Sequence, residues 1–174
     1  MTTVDQGRIE GGVHRLPLRI YFEDTDAGGI VYHANYLRYA ERGRSEALRV
    51  LGVPHAEMIR THGRMFVVHR AEIDYQRPAR LDDRLVVATH VEAVAAARVI
   101  LRQMILRDAA TLAQIRLVLA CVGATTGRPA RLPGPVRDAL ARMRADEITC
   151  GGAAKGLGGG AAKSLGGRNA AEGV

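Results

Sequence analysis

The sequence has no tryptophan, two phenylalanines and two cysteines, and only two of its 25 basic residues are lysines. Cys121 lies in an apolar run and Cys150 near the C-terminus, so the pair gives neither a disulfide framework nor metal-ligand spacing. The first twelve residues are polar, and no run approaches the roughly 20 apolar residues that a membrane span needs. These shortages exclude a disulfide-rich secreted scaffold and predict a cytoplasmic protein in a reducing compartment.

The net charge of +7 is carried almost entirely by arginine. Arginine binds phosphates and carboxylates through its bidentate fork, so the charge fits a phosphate-bearing ligand or an acidic partner. Nucleic acid is the competing interpretation. The arginines are scattered along periodic segments, and few aromatic side chains are present to stack on bases. We therefore expect no nucleic-acid partner.

The 174 residues, 47% of them hydrophobic, amount to one domain. Apolar residues at helical spacing predict a long helix from about residue 36, stopped at Gly52 and Pro54. Small residues at 40, 43 and 47 would let this helix lie very close to a curved sheet. Alternating patterns predict strands, and shorter periodic segments predict two more helices. The predicted strands cover 13–22, 65–77, 84–95, 98–107 and 113–125, and the short helices cover 55–61 and 135–144.

This order predicts an α+β domain with the long helix against one face of a sheet. Short connections suggest that the four later strands are antiparallel neighbours in chain order. We place the domain at 13–146, between a flexible N-terminus at 1–12 and a flexible low-complexity tail at 147–174. The tail holds an eight-residue Gly-Ala-Lys repeat with too few large apolar residues to offset the entropy of ordering it.

The segment 23–41 is the most informative stretch of the chain. Asp26, adjacent glycines at 28 and 29, and His33 fall between a predicted strand and the long helix. A carboxylate can act as nucleophile or base, and the first N–H groups of a helix can face a polarised carbonyl oxygen. This layout predicts acyl-transfer chemistry.

Several separated motifs resemble the hotdog-fold acyl-CoA thioesterases of the 4-hydroxybenzoyl-CoA thioesterase group, most closely its Tol-Pal-associated branch. They are YFEDTDAGGIVYHANY at 21–36, YAERGRSEALR at 39–49, FVVHR at 66–70 and DYQRPARLDD at 74–83. The resemblance implies a hotdog fold, in which a curved antiparallel sheet of about five strands wraps a long helix. It also implies homodimers or homotetramers with active sites at the subunit interface, and no metal or other cofactor.

Aligned with the family motif, Asp26 corresponds to the catalytic carboxylate, and the N–H of His33 corresponds to the backbone donor at the helix start. The resemblance implies hydrolysis of small aliphatic or aromatic acyl-CoA thioesters, with acyl carrier protein as an alternative carrier. Asp26 would attack directly or activate a water, and the His33 imidazole would orient the reactants or protonate the leaving thiolate. The substrate-binding candidates are Gly29, Tyr32, Tyr36, Phe66, Val68, Arg77 and Arg80.

Two alternatives stay open at this point. Hotdog dehydratases and hydratases also use a carboxylate and a histidine, although in a different local pattern from Asp26 and His33. A non-catalytic acyl-CoA-binding hotdog protein would bind the thioester without turnover. Replacing Asp26 by Asn separates these classes, because only a thioesterase should lose turnover while keeping its ligand.

Overall fold

A computed structural model describes residues 5–144, which form one six-stranded antiparallel sheet and three α-helices. The sheet order is β1-β2-β4-β5-β6-β3, so β1 and β3 are the edge strands. The strands are β1 (Arg8–Glu10), β2 (Val13–Arg19), β3 (Arg64–Tyr75), β4 (Arg84–Val94), β5 (Arg98–Arg107) and β6 (Ala110–Gly123). The helices are α1 (Asn35–Val50), α2 (His55–His62) and α3 (Gly134–Ala141). The predicted α+β hotdog architecture is confirmed.

Helix α1 lies against the sheet along a stripe of small and aromatic residues. Its buried positions include Tyr39, Ala40, Gly43 and Ala47, which recur at helical spacing. A Cβ at Gly43 would stand 2.6 Å from Cγ1 of Val87 on β4, so this helix and this strand approach as closely as a glycine permits. The predicted close approach of helix and sheet is therefore present.

A buried glutamine also joins α1 to the sheet. The side-chain Nε2 of Gln103 on β5 donates to the carbonyl of Ala40 at 2.9 Å and to Oγ1 of Thr89 at 2.8 Å. A buried amide that satisfies a helix carbonyl fixes the register of the helix on the sheet. The position of the N-terminus of α1 is thus determined by the sheet beneath the helix.

Two expectations about the strands are wrong. The segment predicted as a flexible N-terminus contributes β1, whose Ile9 pairs with His14 of β2. Strand β3 is not a neighbour of β4; it pairs with β6 across the far edge, while β4 pairs with β2. The connection 76–83 leads from edge strand β3 to β4, which lies on the other side of β5 and β6. On the way it passes the start of α1 and hydrogen-bonds to it.

The predicted low-complexity tail lies outside the described residues. Within 5–144, none of the helices is long and apolar enough to cross a membrane.

Candidate active site

Asp26 opens a tight hairpin between the end of β2 and the start of α1. Thr25 and Val31 form an antiparallel bridge, and the Asp26 N–H donates to the Ile30 carbonyl at 3.0 Å. The Gly29 N–H donates to the Asp26 carbonyl at 3.0 Å, and the Gly28 N–H donates to Oδ1 of Asp26 at 2.8 Å. An aspartate that caps its own turn in this way holds its carboxylate through local bonds. The second carboxylate oxygen, Oδ2, accepts no hydrogen bond from the part of the chain that the structure describes.

The two glycines of this hairpin serve different purposes. Gly29 has a φ of 69°, a left-handed conformation that a side chain disfavours, although an added Cβ would meet nothing within 4 Å. Gly28 does not have a positive φ, and a Cβ there would stand 3.0 Å from Oδ1 of Asp26. Gly29 therefore makes the turn, and Gly28 makes room for the carboxylate.

The start of α1 presents unpaired amide groups. Within residues 5–144, the N–H groups of His33 and Ala34 donate to no acceptor. The flanking groups are paired: the Tyr32 N–H donates to the Asp24 carbonyl at 2.9 Å, and the Asn35 N–H donates to the Tyr32 carbonyl at 2.9 Å. Unpaired N–H groups at a helix start carry the positive end of the helix dipole, so they can stabilise an anionic oxygen.

The end of β3 and its connection to β4 hold this helix start through three hydrogen bonds, which we call the clasp. The Tyr75 hydroxyl donates to the His33 carbonyl at 3.0 Å. The Ala79 N–H donates to the Tyr36 hydroxyl at 2.9 Å, and the Val31 N–H donates to the Ala79 carbonyl at 2.9 Å. The clasp joins residues more than 40 positions apart in the chain.

Two surface clefts border the hairpin. The Asp26 cleft, of about 480 Å³, is lined by Phe22, Thr25, Asp26, Ala27, Gly29 and Leu81. The His33 cleft, of about 310 Å³, is lined by Ile30, Val31, His33, Tyr36, Tyr75, Gln76, Arg77 and Pro78. Both are large enough for part of a small acyl thioester. On one chain, the carboxylate and the helix start therefore face different clefts.

The predicted substrate-binding residues divide between these clefts and the rest of the molecule. Gly29 lines the Asp26 cleft, and Tyr36 and Arg77 line the His33 cleft. The ring centroid of Tyr32 is 4.5 Å from that of His33. The structure brings these four residues to the hairpin and the helix start.

Phe66, Val68 and Arg80 line neither cleft. Phe66 borders a small apolar cavity beside Leu48 near the other end of α1. Val68 is 49% exposed on edge strand β3, seven residues before Tyr75 and thus about 20 Å away along the strand. The Arg80 N–H donates to the Asp83 carboxylate, and its side chain is exposed. If these residues meet substrate, they do so from outside the two clefts of a single chain.

Sequence reasoning missed three residues that build the site. Tyr75 ends β3, and its ring stands edge-on to the Tyr36 ring, with centroids 5.4 Å apart. Asn35 is buried and donates from Nδ2 to the Asp24 carbonyl at 2.9 Å. The buried Asp24 accepts the Tyr21 N–H at 2.9 Å through Oδ2. The signal for Tyr75 was its place in the motif at 74–83, where only the arginines were selected.

The tyrosines around the helix start keep their protons at neutral pH. Burial raises the pKa of Tyr75 and is the main cause of the raised pKa of Tyr36. Burial also raises the pKa of Tyr39, and the neighbouring Asp24 carboxylate adds to this effect. A neutral phenol can donate a hydrogen bond, so the Tyr75 hydroxyl remains a donor across the physiological range. Within residues 5–144, no group of three or more His, Cys, Asp or Glu side chains could hold a metal ion.

Comparison with known families matches residues 20–140 to the thioesterase-like superfamily. The chain belongs to this superfamily. The match includes the hairpin, α1 and the clasp, and it confirms the predicted family. The acyl-CoA thioesterase YbgC of Haemophilus influenzae is 38% identical over 128 residues, which are 74% of this chain and 94% of that protein. The acyl-CoA thioester hydrolase YbgC of Escherichia coli O6:H1 is 36% identical over 68% of this chain and 89% of its own length.

Solved structures agree with this family. A probable thioesterase from Bartonella henselae superposes with a TM-score of 0.66 at 36% identity, covering 70% of this chain and 99% of that one. A 1,4-dihydroxy-2-naphthoyl-CoA thioesterase from Synechocystis superposes with a TM-score of 0.69 at 24% identity, covering 74% and 96%. The second likeness bears on the fold alone.

Proposed function

We propose that this protein hydrolyses acyl-CoA thioesters of small aliphatic or aromatic acids, releasing the free acid and coenzyme A. The observation that carries the proposal is the hairpin at residues 25–31, which presents the Asp26 carboxylate a few residues before the unpaired N–H groups that begin α1. Membership of the superfamily and relatives named as acyl-CoA thioesterases support it. Acyl carrier protein is an alternative carrier of the same thioester.

In the proposed mechanism the thioester carbonyl oxygen faces the His33 N–H. Attack at the carbonyl carbon produces an oxyanion, which the N–H group and the helix dipole stabilise. One such donor typically lowers a barrier by about 3 kcal/mol. Collapse of the tetrahedral intermediate breaks the carbon–sulfur bond and expels the thiolate, which takes up a proton.

Asp26 supplies the attack by one of two routes. Its free oxygen attacks the carbonyl carbon directly and forms a mixed anhydride that water then hydrolyses, or it accepts a proton from an attacking water. The exposed imidazole of His33 orients the reactants or protonates the leaving thiolate. We assign Gly29, Tyr32, Tyr36 and Arg77 to substrate binding on one chain.

We propose that the active unit is a homodimer or homotetramer in which a second copy completes the site. Asp26 and His33 line different clefts on one chain, and β3 is an edge strand that carries the exposed Val68. Pairing β3 with the same strand of a second copy would cover this edge and bring Phe66, Val68 and Arg80 of one copy toward the site of the other. Light scattering of the purified protein tests this, and a monomer with full activity would contradict it.

We also propose a cytoplasmic location and membership of the Tol-Pal-associated branch. The branch proposal rests on the similarity of the hairpin and β3 motifs and on relatives named YbgC. The location proposal rests on the sparse cysteines of the sequence, of which Cys121 is buried and forms no disulfide within residues 5–144.

The deciding experiment is thiol release from a panel of short to long aliphatic acyl-CoAs with benzoyl-CoA and 4-hydroxybenzoyl-CoA. Wild type is compared with Asp26→Asn, whose amide oxygen can still accept the Gly28 N–H and preserve the turn. We expect turnover of at least one substrate and a loss of roughly a thousandfold in kcat for the variant, with binding retained. Equal background release by both proteins would overturn the proposal and favour a non-catalytic acyl-CoA-binding protein.

A further inference from the structure

The hydroxyl of Tyr75 touches a single backbone group at the helix start, the carbonyl of His33, at 3.0 Å. This contact is not required to hold the end of β3 in place. Tyr75 is already paired with Ala113 of β6, and the N–H groups of Gln76 and Arg77 both donate to the Leu112 carbonyl. The phenol therefore reaches the helix start from a strand end that other bonds have fixed.

On the basis of the proposed function, we infer that Tyr75 is a positioning residue that orients and polarises the Ala34 N–H as a second donor to the oxyanion. The carbonyl of His33 and the N–H of Ala34 belong to one peptide group. That group is planar and trans, so fixing the direction of its oxygen also fixes the direction of its N–H. A hydrogen bond accepted by the oxygen also strengthens the N–H of the same group as a donor.

The preceding peptide is fixed in an analogous way. Its carbonyl, that of Tyr32, accepts the Asn35 N–H at 2.9 Å, and its own N–H is that of His33. The N–H groups of His33 and Ala34 thus belong to two consecutive peptides whose carbonyls are both engaged, while the N–H groups themselves have no acceptor within residues 5–144. Ala34 has helical backbone angles, which direct its N–H out of the N-terminal end of α1.

The ring of Tyr75 is held so that its hydroxyl keeps this direction. It stands edge-on to the buried Tyr36, with centroids 5.4 Å apart, and its centroid is 6.4 Å from that of His33. Tyr36 is in turn bound to the Ala79 N–H. A ring packed on two sides loses little freedom when its hydroxyl donates, so a preorganised donor results.

The first test is Tyr75→Phe, which keeps the ring and removes the donor. We expect kcat to fall by about tenfold, with KM within about twofold of wild type, because the bond acts on transition-state charge. Tyr21→Phe is the matched control; its ring is 60% exposed and lines neither cleft, so kcat should not change. A rise in KM with unchanged kcat would overturn the inference, because it would make Tyr75 only part of the binding wall.

A second readout separates positioning from a structural role. In the Asp26→Asn background, benzoyl-CoA labelled with ¹³C at the thioester carbonyl is bound, and its carbonyl stretch is measured by infrared difference spectroscopy. We expect a shift to lower frequency on binding, and Tyr75→Phe should reverse part of it. An identical frequency with and without the hydroxyl would overturn the inference. A thermal melt of each variant shows whether the fold is intact.

If Tyr75→Phe fails to fold, 3-fluorotyrosine at position 75 replaces it. Fluorine makes the phenol a stronger donor and keeps both ring and hydroxyl, so kcat should rise; a fall would overturn the inference. The failure of the proposed function is recognised separately. Wild type without turnover overturns that function, whereas an active wild type with an equally active Tyr75→Phe overturns only the role of Tyr75.

Discussion

The hairpin that carries Asp26 and the helix start that carries His33 are adjacent in the chain but are stabilised in different ways. The N–H groups of Asp26, Gly28 and Gly29, which close the Asp26 turn, all donate to acceptors within residues 25–31. The helix start is held by the clasp, whose partners are Tyr75 at the end of edge strand β3 and Ala79 in the connection that follows it. The first is a local structure, and the second exists only in the complete fold.

This difference fits the two chemical tasks that we propose for the hairpin and the helix start. A nucleophile or base must approach and leave its target, so a short, exposed turn suits the carboxylate. Oxyanion donors act best when they are already oriented, and long-range contacts to a sheet provide that rigidity. Displacement of the Asp26 carboxylate should therefore affect activity more than stability, and loss of the buried clasp bond to Tyr36 should affect the stability of the helix start.

Tyr36→Phe should have the largest effect on stability. The Ala79 N–H is fully buried and donates to the Tyr36 hydroxyl, so the variant leaves a buried donor without an acceptor. We expect a loss of about 1–3 kcal/mol in the free energy of unfolding, measured by urea denaturation. Tyr75→Phe is the control and should cost less, because its hydroxyl binds at an exposed position where water can replace it. Equal losses for the two variants would contradict the distinction between them.

Gly28→Ala should damage the Asp26 turn without unfolding it. The new Cβ would stand 3.0 Å from Oδ1 of Asp26, so the carboxylate must move. We expect kcat to fall by about tenfold, with the free energy of unfolding within about 0.5 kcal/mol of wild type. Gly134→Ala is the control, because an added Cβ there meets nothing within 4 Å. A variant as active as wild type would show that the position of the carboxylate is not critical.

Gly29→Ala should cost stability through backbone strain alone. The φ of 69° is unfavourable for alanine, and the surrounding space is open, so we expect a loss of about 1 kcal/mol in urea denaturation. Asparagine tolerates this conformation better, and Gly29→Asn should recover part of the loss. If alanine and asparagine are equally tolerated, the turn relaxes and its shape is not enforced by glycine.

The same contrast explains what could be predicted from the sequence. The bounds of α1, β4 and β5 follow from local periodicity, and the family motifs predict the hotdog fold and place Asp26 on its turn. Edge strand β1 was missed because three residues give no periodic signal. The pairing of β3 with β6 was missed because neighbours in the chain were assumed to be neighbours in the sheet, whereas residues 76–83 cross past α1.

The residues of the candidate site also differ in whether a short local motif identifies them. Asp26, Gly29 and His33 share one short motif, and the structure places Tyr36 and Arg77 in the wall of the His33 cleft. Tyr75 lies in the motif at 74–83, but the motif does not show its role, because that role depends on a hydrogen bond to a residue 42 positions away. Phe66 and Val68 line neither cleft, because a short motif does not show which cavity or which edge a strand residue faces.

Acidification should produce the smallest effect and act away from both clefts. His14 is fully buried beside β4, with Nε2 2.8 Å from the Gln6 carbonyl, and burial lowers its pKa from 6.5 despite the opposing effects of that carbonyl and of Glu46. A group whose folded pKa is lowered binds more protons when unfolded, so its stabilisation is complete above pH 6.5 and declines as the pH falls toward the folded value. Urea denaturation from about pH 8 to about pH 5.5 should show this decline in the free energy of unfolding, and His14→Gln should reduce the decline while keeping an amide near Gln6.

The reduction in His14→Gln should be partial, since burial also lowers the pKa of His55 and of His90. Stability that rises on acidification would contradict the sign, and an unchanged slope in His14→Gln would assign the decline to other groups.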